Sequence, residues 1–232
     1  LRCLVGSEMC IRDRHYRGIM SVKAYDKVGD KAGDKVPKSN TRRIGSAGLI
    51  EVAYNFISTQ GLDRLTFRHI ASHANCSLGT LTYHFSSRED LISAVLSDKI
   101  LPVMRKSVLL PHHPDPALAF LEMIKQSLPY EETAKDHWRV RLELMGFAAH
   151  NPMFRTRFRQ VERARIIYLE KLFSRLKSLG KMSADTDISK LATQTIQFET
   201  GAALSILNAK DIDRVATGDA FIDWLKSILV LN

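Results

Sequence analysis

Residues 66–91, TFRHIASHANCSLGTLTYHFSSREDL, limit the possible folds of this chain more than any other segment. Thr66 and Ser77 each precede a short run of helical character, and both residue types are favoured at the position that caps a helix N-terminus. Ser86, with Glu89 three residues later, has the spacing of a capping box and predicts the start of a further helix. The segment is therefore predicted to form two short helices, a tight turn between them, and the beginning of a longer helix.

The turn between the two short helices contains the residue types that such a turn needs. Asn75 is placed where a positive φ is required, and after glycine asparagine is the residue that tolerates one best. Ala71 and Ala74 are small enough for the two helices to cross closely, and Cys76 is expected to pack under the turn as a small apolar side chain. This pattern predicts a helix-turn-helix, whose second helix lies in the major groove of DNA.

The rest of the chain has the apolar periodicity of helices from about residue 41 onward. The apolar stripe at 49–57 and the following Gly61 predict one amphipathic helix and its end. No stretch alternates with the period of two that half-buried strands show. Five further helices are predicted, at about residues 115–128, 132–150, 152–179, 187–208 and 218–231.

The predicted fold is all-α, with an N-terminal three-helix helix-turn-helix DNA-binding domain and a C-terminal helical domain for ligand binding and dimerisation. A stretch with three prolines at 110–116 interrupts the helical pattern between them. In chain order we expect a leader and mobile basic arm at residues 1–40, a DNA-binding domain at 41–101 with its motif at about 66–85, and a regulatory domain at 102–232. Residues 1–19 resemble a translated sequencing-adaptor artefact, and we expect them not to belong to the protein.

Composition, and the motifs that the sequence lacks, reduce the number of functions that the protein is expected to have. A formal net charge of +9 over 232 residues suits a polyanionic partner. No apolar run approaches the roughly 18 residues of a membrane span, so no membrane partner is expected. The three cysteines have no metal-ligand spacing, which predicts no metal or cofactor and favours the reducing cytoplasm. No hydrolase, P-loop or zinc-protease motif occurs, so the protein is predicted not to be an enzyme.

The helix-turn-helix residues resemble the TetR family of one-component transcriptional regulators. The matching positions are Ile70-Ala71, Ala74-Asn75-Cys76-Ser77, Gly79-Thr80-Leu81-Thr82-Tyr83-His84-Phe85 and Arg88-Glu89-Asp90-Leu91. The resemblance covers about residues 43–99 and implies a protein that binds operator DNA. Asn75, Cys76 and Thr82 depart from the family pattern; Thr82 stands where an aromatic side chain is common, which affects the expected target sequence rather than the fold.

The second short helix is predicted to enter the major groove, where its side chains meet base edges and its first N–H groups meet a phosphate. The residues assigned to this role are Ser77, Leu78, Gly79, Thr80 and Thr82. By resemblance, Tyr83 and His84 occupy the family positions that hydrogen-bond the phosphate backbone. Leu81 and Phe85 are instead expected to face the core of the small domain.

Basic and polar residues outside that helix are predicted to contact the flanking DNA. Thr66, Arg68 and Arg88 are assigned to phosphates, and Arg42 and Arg43 to an adjacent minor groove. Structural alternatives stay open at this point. Tyr83 also fits a half-buried core position, and the two arginines of the arm also fit a solvated helix face.

A dimer follows from the DNA geometry, because two identical recognition helices must reach successive major grooves about 34 Å apart. The last two predicted helices carry the apolar residues for a four-helix interface between two copies. The interface residues predicted are Phe198, Ala202, Ile206, Phe221, Trp224, Leu225 and Ile228. The alternative is that these side chains form an ordinary core within one chain.

The middle helices are predicted to line a pocket for a small-molecule effector. The residues assigned to it are Trp138, Glu143, Phe147, Phe154, Phe158 and Tyr168. Aromatic rings with a carboxylate can hold a cation, and this region is similar to the choline-responsive repressors of betaine synthesis. The alternative is that the aromatic stripe belongs to the core.

The sequence as a whole predicts a homodimeric, sequence-specific DNA-binding transcriptional regulator, a repressor released from its operator by an effector. The competing hypothesis is an effector-independent activator or nucleoid-type organiser of the same fold. Both need double-stranded DNA, and they differ in whether a ligand changes its affinity.

Overall fold

The computed structural model describes residues 44–101 and 114–231, and over these ranges the chain is helical. Nine α-helices lie in this part: α1 Ser46–Gln60, α2 Phe67–His73, α3 Leu78–His84, α4 Arg88–Val95, α5 Pro116–Ser127, α6 Glu132–His150, α7 Pro152–Ser178, α8 Ile188–Asn208 and α9 Asp211–Lys226. It contains no strand, only an isolated antiparallel bridge between Met182 and Leu229. The all-α prediction is confirmed. None of the helices described is long and apolar enough to cross a membrane.

The caps of the first helices explain why the short segments fold as they do. The Thr66 hydroxyl accepts a hydrogen bond from the His69 N–H at 3.2 Å and begins α2, and the Ser77 hydroxyl accepts one from the Thr80 N–H at 3.1 Å and begins α3. Asn75 has φ 49°, so the positive-φ turn between α2 and α3 is confirmed.

The predicted capping box of Ser86 and Glu89 is wrong by one residue. Ser87 caps α4, because its hydroxyl accepts the Asp90 N–H at 3.1 Å. The Asp90 carboxylate in turn accepts the Ser86 N–H at 3.1 Å. The acid at the third helical position is therefore Asp90 rather than Glu89, and it binds the backbone of the residue before the cap.

The helix that begins at Arg88 changes its geometry before the described range ends. After Val95 it continues as a π-helical segment, Leu96–Ile100. Such segments are rare and are found mostly at functional sites, because they displace side chains from the ordinary helical register. This one carries Lys99, which lines a cavity of about 470 Å³.

The C-terminal helices follow the prediction except for the last one, which was predicted at 218–231 and extends over Asp211–Lys226. Gly218 does not start the helix but lies within it, buried against Tyr130. A Cβ atom at this position would lie 1.5 Å from the Tyr130 hydroxyl oxygen, so glycine is needed for close packing rather than for a turn.

The buried apolar residues form two cores. The first joins α1–α4 to the side chains of Val140 and Leu144 on α6 and of Phe154 and Phe158 on α7. The second lies among α5, α7, α8 and α9. The first core therefore packs the N-terminal helices α1–α4 directly against α6 and α7.

Candidate nucleic-acid interface and ligand cavity

Helix α3 is fixed from one side and exposed on the other. Leu81 is fully buried and Phe85, just after the helix, is also in the first core, as predicted. Tyr83, on the opposite side, is 74% exposed, and Leu78, in the first turn, is 44% exposed. The alternative that Tyr83 is a half-buried core residue is therefore wrong. Large apolar and aromatic side chains exposed on an anchored helix are available to an external partner.

The serine and threonine hydroxyl groups at α3 already form hydrogen bonds within the helix and its cap. The Thr80 and Ser77 hydroxyl oxygens are 3.0 Å apart, and the Thr82 hydroxyl donates to the Gly79 carbonyl at 3.2 Å. Thr66 and Arg68 are exposed on or beside α2, and His84 is half-buried with its ring centroid 5.0 Å from that of Tyr83. The phenol of Tyr83 is thus the most prominent polar group of the exposed face.

Arg88 does not have the free guanidinium that a phosphate contact was predicted to use. Its Nε donates to the Leu65 carbonyl at 2.7 Å and its Nη2 donates to the Leu62 carbonyl at 2.6 Å. Its guanidinium carbon also lies 5.7 Å from the ring centroid of Phe147. Arg88 therefore holds the loop between α1 and α2 through two of its three guanidinium nitrogens, and the predicted phosphate contact stays a prediction.

The two arginines of the predicted basic arm, Arg42 and Arg43, lie outside the described residues. The predicted leader and arm at 1–40 lie outside them as well. The interface described by the structure is consequently the exposed surface of α2 and α3.

The six residues predicted to line one pocket are separated in the structure. Phe147, Phe154 and Phe158 pack in or against the first core. Glu143 lies at the loop after α1, where its carboxylate accepts the Leu62 N–H at 3.4 Å. Glu143 and Phe147 also line a second cavity beside the loop after α1, so the six residues do not share one pocket. Phe154 and Phe158 belong to an aromatic stripe that packs α7 against the N-terminal helices.

The remaining two predicted residues, Trp138 and Tyr168, line a cavity of about 470 Å³. Helices α5, α6, α7 and α8 form most of its wall, and α1 and the π-helical segment complete it. Glu51 and Tyr54 come from α1, and Lys99 from the π-helical segment pairs with Glu51. The cavity therefore touches the DNA-binding helices directly. Its size is within the ordinary range for small-molecule sites.

Buried charges lie along one wall of this cavity. Arg141 Nη2 donates to both oxygens of Glu162, at 3.0 and 3.2 Å. Arg165 pairs with Glu199, whose other oxygen accepts the Ser127 hydroxyl at 2.8 Å. Ion pairs at this depth are held by their mutual attraction against a large desolvation cost.

Burial sets the protonation of the neighbouring groups. It raises the pKa of Glu162 and of Glu199, an effect that the nearby Arg141 opposes. It lowers the pKa of His137 to about 4, with a contribution from Arg141 in the same direction, so this imidazole is neutral at neutral pH. Burial also raises the pKa of Tyr54 and Tyr168 to about 12, which keeps both phenols protonated.

Sequence reasoning missed the charged residues of the cavity, although the sequence contains a signal for them. Arg165 stands four residues from Val161 and four from Leu169, in the middle of a buried apolar stripe. Glu199 stands in the same way between Ile196 and Ala203. A charge within an apolar stripe is costly unless it is paired, so such positions identify buried polar sites.

The predicted dimer residues divide into inward and outward sets. Ala202, Ile206, Phe221 and Leu225 are buried in the second core of one chain, so the prediction that they contact a partner is wrong. Phe198 is 39% exposed, and Trp224 and Ile228 are half-buried. The rings of Phe198 and Trp224 pack with centroids 5.2 Å apart. Further exposed apolar residues of the C-terminal helices and of the segment after α9, which sequence analysis did not single out, are Leu204, Val215 and Val230.

Comparison with known proteins agrees with this architecture. Residues 49–95 match the model for the bacterial regulatory proteins of the tetR family. Residues 116–229 match the model for the C-terminal part of BetI-type transcriptional repressors. Among curated proteins, none is similar enough to count as a match.

Solved structures show the same fold at low sequence identity. A transcriptional regulator from Saccharomonospora viridis, in complex with choline, is 20% identical with a TM-score of 0.68 and covers 80% of this chain and 98% of its own. A TetR transcription regulator from Haloarcula marismortui is 19% identical with a TM-score of 0.68 and the same coverage. A TetR-family regulator from Agrobacterium tumefaciens is 16% identical with a TM-score of 0.67, covering 80% and 97%.

The two sequence models cover both the helix-turn-helix and the helices around the cavity, and the solved structures share the fold that joins them. The chain belongs to the TetR family of DNA-binding transcriptional regulators, with a C-terminal region of the BetI type.

Proposed function

We propose that this regulator binds operator DNA as a homodimer, represses transcription, and is released when a small molecule enters the 470 Å³ cavity. The observation that carries the proposal is the position of this cavity. Its wall includes Glu51 and Tyr54 of α1 and Lys99 of the helix that follows the helix-turn-helix. A ligand there contacts the DNA-binding helices without covering their DNA face.

The proposed DNA contact uses the exposed side of α3. Leu78 offers an apolar surface to a thymine methyl group, and the Tyr83 phenol offers a donor to a phosphate oxygen. Thr66, Arg68 and His84 supply the flanking polar contacts. Because Thr80 and Thr82 use their hydroxyl groups within the helix, we propose that they fit the groove by shape rather than donate to bases.

The proposed dimer uses the outward side of α8 and α9. Phe198, Gly201 and Leu204 are exposed at a spacing that places them on one side of α8. In the described part of the chain, nothing lies within 4 Å of a Cβ atom built on Gly201, so a partner helix can approach there closely. An exposed apolar strip of this kind is typical of an interface between copies.

Release is proposed to occur by a shift between two arrangements of the same dimer. A ligand that occupies the cavity favours the arrangement in which α1 and the π-helical segment move apart from α6 and α7. Because these elements share the first core, the separation of the two recognition helices changes with them. A coupling of about 1–3 kcal/mol would weaken operator binding roughly 5- to 150-fold.

Choline is a first candidate effector, since the C-terminal region is of the BetI type and a neighbour of similar fold was solved with choline. A quaternary ammonium needs an open aromatic face. In this cavity the Arg141 guanidinium lies 4.6 Å from the Trp138 ring centroid, and the Lys99 ammonium lies 6.0 Å from that of Tyr54. Two of the aromatic faces are therefore already occupied by cations.

The function is tested by selecting bound fragments from genomic DNA and footprinting them with and without candidate effectors. A single inverted repeat that is protected, and released when an effector is added, supports the proposal. Protection that spreads along DNA without sequence preference, or that no cavity ligand changes, supports the effector-independent organiser instead.

Replacing Tyr83 with phenylalanine is expected to weaken operator binding about 10- to 150-fold, because a hydrogen bond to a charged group contributes about 1.5–3 kcal/mol. The loss should be similar on operator and unrelated duplexes, since a phosphate contact does not depend on sequence. Fluorescence anisotropy with both duplexes measures it. Met153→Ala truncates another exposed side chain and should leave both affinities unchanged. Equal affinity of Tyr83→Phe and the wild type would exclude the proposed phosphate contact.

A further inference from the structure

Two guanidinium nitrogens in the cavity wall have no hydrogen-bond partner among the described residues. They are Arg141 Nε and Arg165 Nη1. Arg141 is 2% exposed and Arg165 is 9% exposed, so water outside the protein does not solvate them. Arg165 Nη1 lies 3.8 Å from a carboxylate oxygen of Glu162, which is too far for a hydrogen bond.

The carboxylates of the chain are engaged elsewhere. Glu162 accepts from Arg141 Nη2, and Glu199 accepts from Arg165 Nη2 and from the Ser127 hydroxyl. Leaving a buried donor unpaired costs about 1–3 kcal/mol, and more where the donor is charged. Native proteins rarely accept that cost unless water, an ion or a ligand supplies the missing acceptor. Arg141 and Arg165 both line one cavity, and this is where a bound acceptor can be placed.

We infer that the effector is a small organic carboxylate, whose oxygens accept from Arg141 Nε and Arg165 Nη1 while its carbon body lies against Trp138, Tyr168 and Leu169. Guanidinium–carboxylate hydrogen bonds are charge-assisted and are among the strongest in proteins. This inference rests on the proposed function only where it treats the bound molecule as the effector. The binding of the molecule in the cavity does not depend on that function.

The composition of the lining agrees with a ligand held by hydrogen bonds rather than by excess charge. Each cation of the wall is paired with a carboxylate, Lys99 with Glu51, Arg141 with Glu162 and Arg165 with Glu199. The aromatic faces that a cationic ligand would need at Tyr54 and Trp138 are covered by Lys99 and Arg141. Apolar walls next to a few buried donors are the usual composition of a site for a small amphipathic molecule.

The test is isothermal titration calorimetry of the full-length dimer, without DNA, against three matched series of probes. Benzoate, phenylacetate and 3-phenylpropionate form the first series, their primary amides the second, and the corresponding trimethylammonium compounds the third. At least one carboxylate is expected to bind once per chain, about tenfold or more tighter than its amide and its trimethylammonium counterpart. Binding by no carboxylate, or equal or tighter binding of an amide or a cation, would overturn the inference.

Variants of Arg141 identify the donors. Arg141→Lys keeps a positive charge for Glu162 but removes Nε, and it is expected to weaken the carboxylate about tenfold and to reduce its advantage over the amide. The double variant Arg141→Met/Glu162→Met removes the buried pair together, so that no charge is left unpaired if the single variant fails to fold. Circular dichroism and thermal melting establish folding for both.

A control on the same helix separates direct donation from long-range attraction. Arg139 is exposed on α6 and pairs with Asp136 at 3.0 Å, so Arg139→Gln removes the same charge without touching the two unpartnered donors. This variant should bind the carboxylate as the wild type does. An equal loss in Arg139→Gln and Arg141→Lys would overturn the assignment of the donors.

The outcomes for binding and for release are distinguishable. If a carboxylate binds with the expected preference but the protein stays on the operator, the inferred binding site is supported and ligand-driven release is wrong. If choline releases the operator and carboxylates do not bind, release stands and the inferred ligand class is wrong.

Discussion

Replacing Glu199 with leucine is expected to lower the free energy of unfolding by about 3–5 kcal/mol, one of the largest effects of a single substitution in this chain. The variant leaves the buried guanidinium of Arg165 with only the Glu162 carboxylate, 3.8 Å away. It also removes one acceptor of the Ser127 hydroxyl, which keeps the Ile124 carbonyl. Leucine has a similar volume and adds no acceptor, so the loss comes from the unpaired charge rather than from a cavity. Chemical denaturation followed by circular dichroism measures it.

Two further variants separate this cause from a general effect of mutation. Arg165→Met combined with Glu199→Leu removes both charges and should recover most of the stability, because a buried pair can be replaced by apolar groups at little cost. Asp223→Ala breaks the exposed pair with Lys226, 2.8 Å long, and should leave the free energy of unfolding essentially unchanged. A double variant as unstable as Glu199→Leu would show that packing rather than charge determines the loss.

Replacing Phe198 with aspartate is expected to weaken operator binding about 10²- to 10⁴-fold by separating the proposed dimer. Phe198 is exposed at the centre of the outward side of α8, where it packs on Trp224. A carboxylate there would be buried against an apolar partner surface without a counter-ion. Each monomer would then bind a single half-site. In the dimer, binding of the first half-site makes binding of the second effectively intramolecular, and that gain in affinity would be lost. Analytical ultracentrifugation and anisotropy on the same samples measure both quantities.

Gln160→Asp introduces the same charge at an exposed position of α7 and should leave mass and affinity unchanged. The prediction also requires that the loss of dimer mass and the loss of operator affinity occur together in Phe198→Asp. A Phe198→Asp protein that sediments as a dimer with full operator affinity would place the interface elsewhere, and a monomeric protein with full affinity would remove the need for a dimer.

The parts of the fold that depend on neighbouring residues could be predicted from the sequence. Thr66 and Ser77 cap their helices through hydroxyl groups that reach only three residues along the chain, and Asn75 adopts a positive φ because its own side chain tolerates it. The buried positions of Leu81 and Phe85 follow from helical periodicity in the same way.

The features that the sequence did not reveal depend on contacts between distant segments. Arg88 has the spacing of a phosphate contact, but the carbonyls it binds belong to residues more than twenty positions earlier. Gly218 reads as a helix start, whereas its role is set by Tyr130 on another segment. An aromatic stripe at helical spacing cannot distinguish a cavity from a core. Trp138 and Phe154 therefore looked equivalent and lie in different places.

The decisive measurement is the binding of the wild-type protein to labelled double-stranded oligonucleotides of mixed composition at low ionic strength, followed by anisotropy over a salt series. Saturable binding is expected, with an affinity that falls steeply with salt by about 0.9 logarithmic units per phosphate contact and decade of salt. The Arg68→Ala/Tyr83→Ala variant, altered only at exposed residues, should bind far more weakly with a shallower slope. A folded wild-type protein that binds no duplex of any composition would contradict the assignment of α3 as a DNA-reading helix.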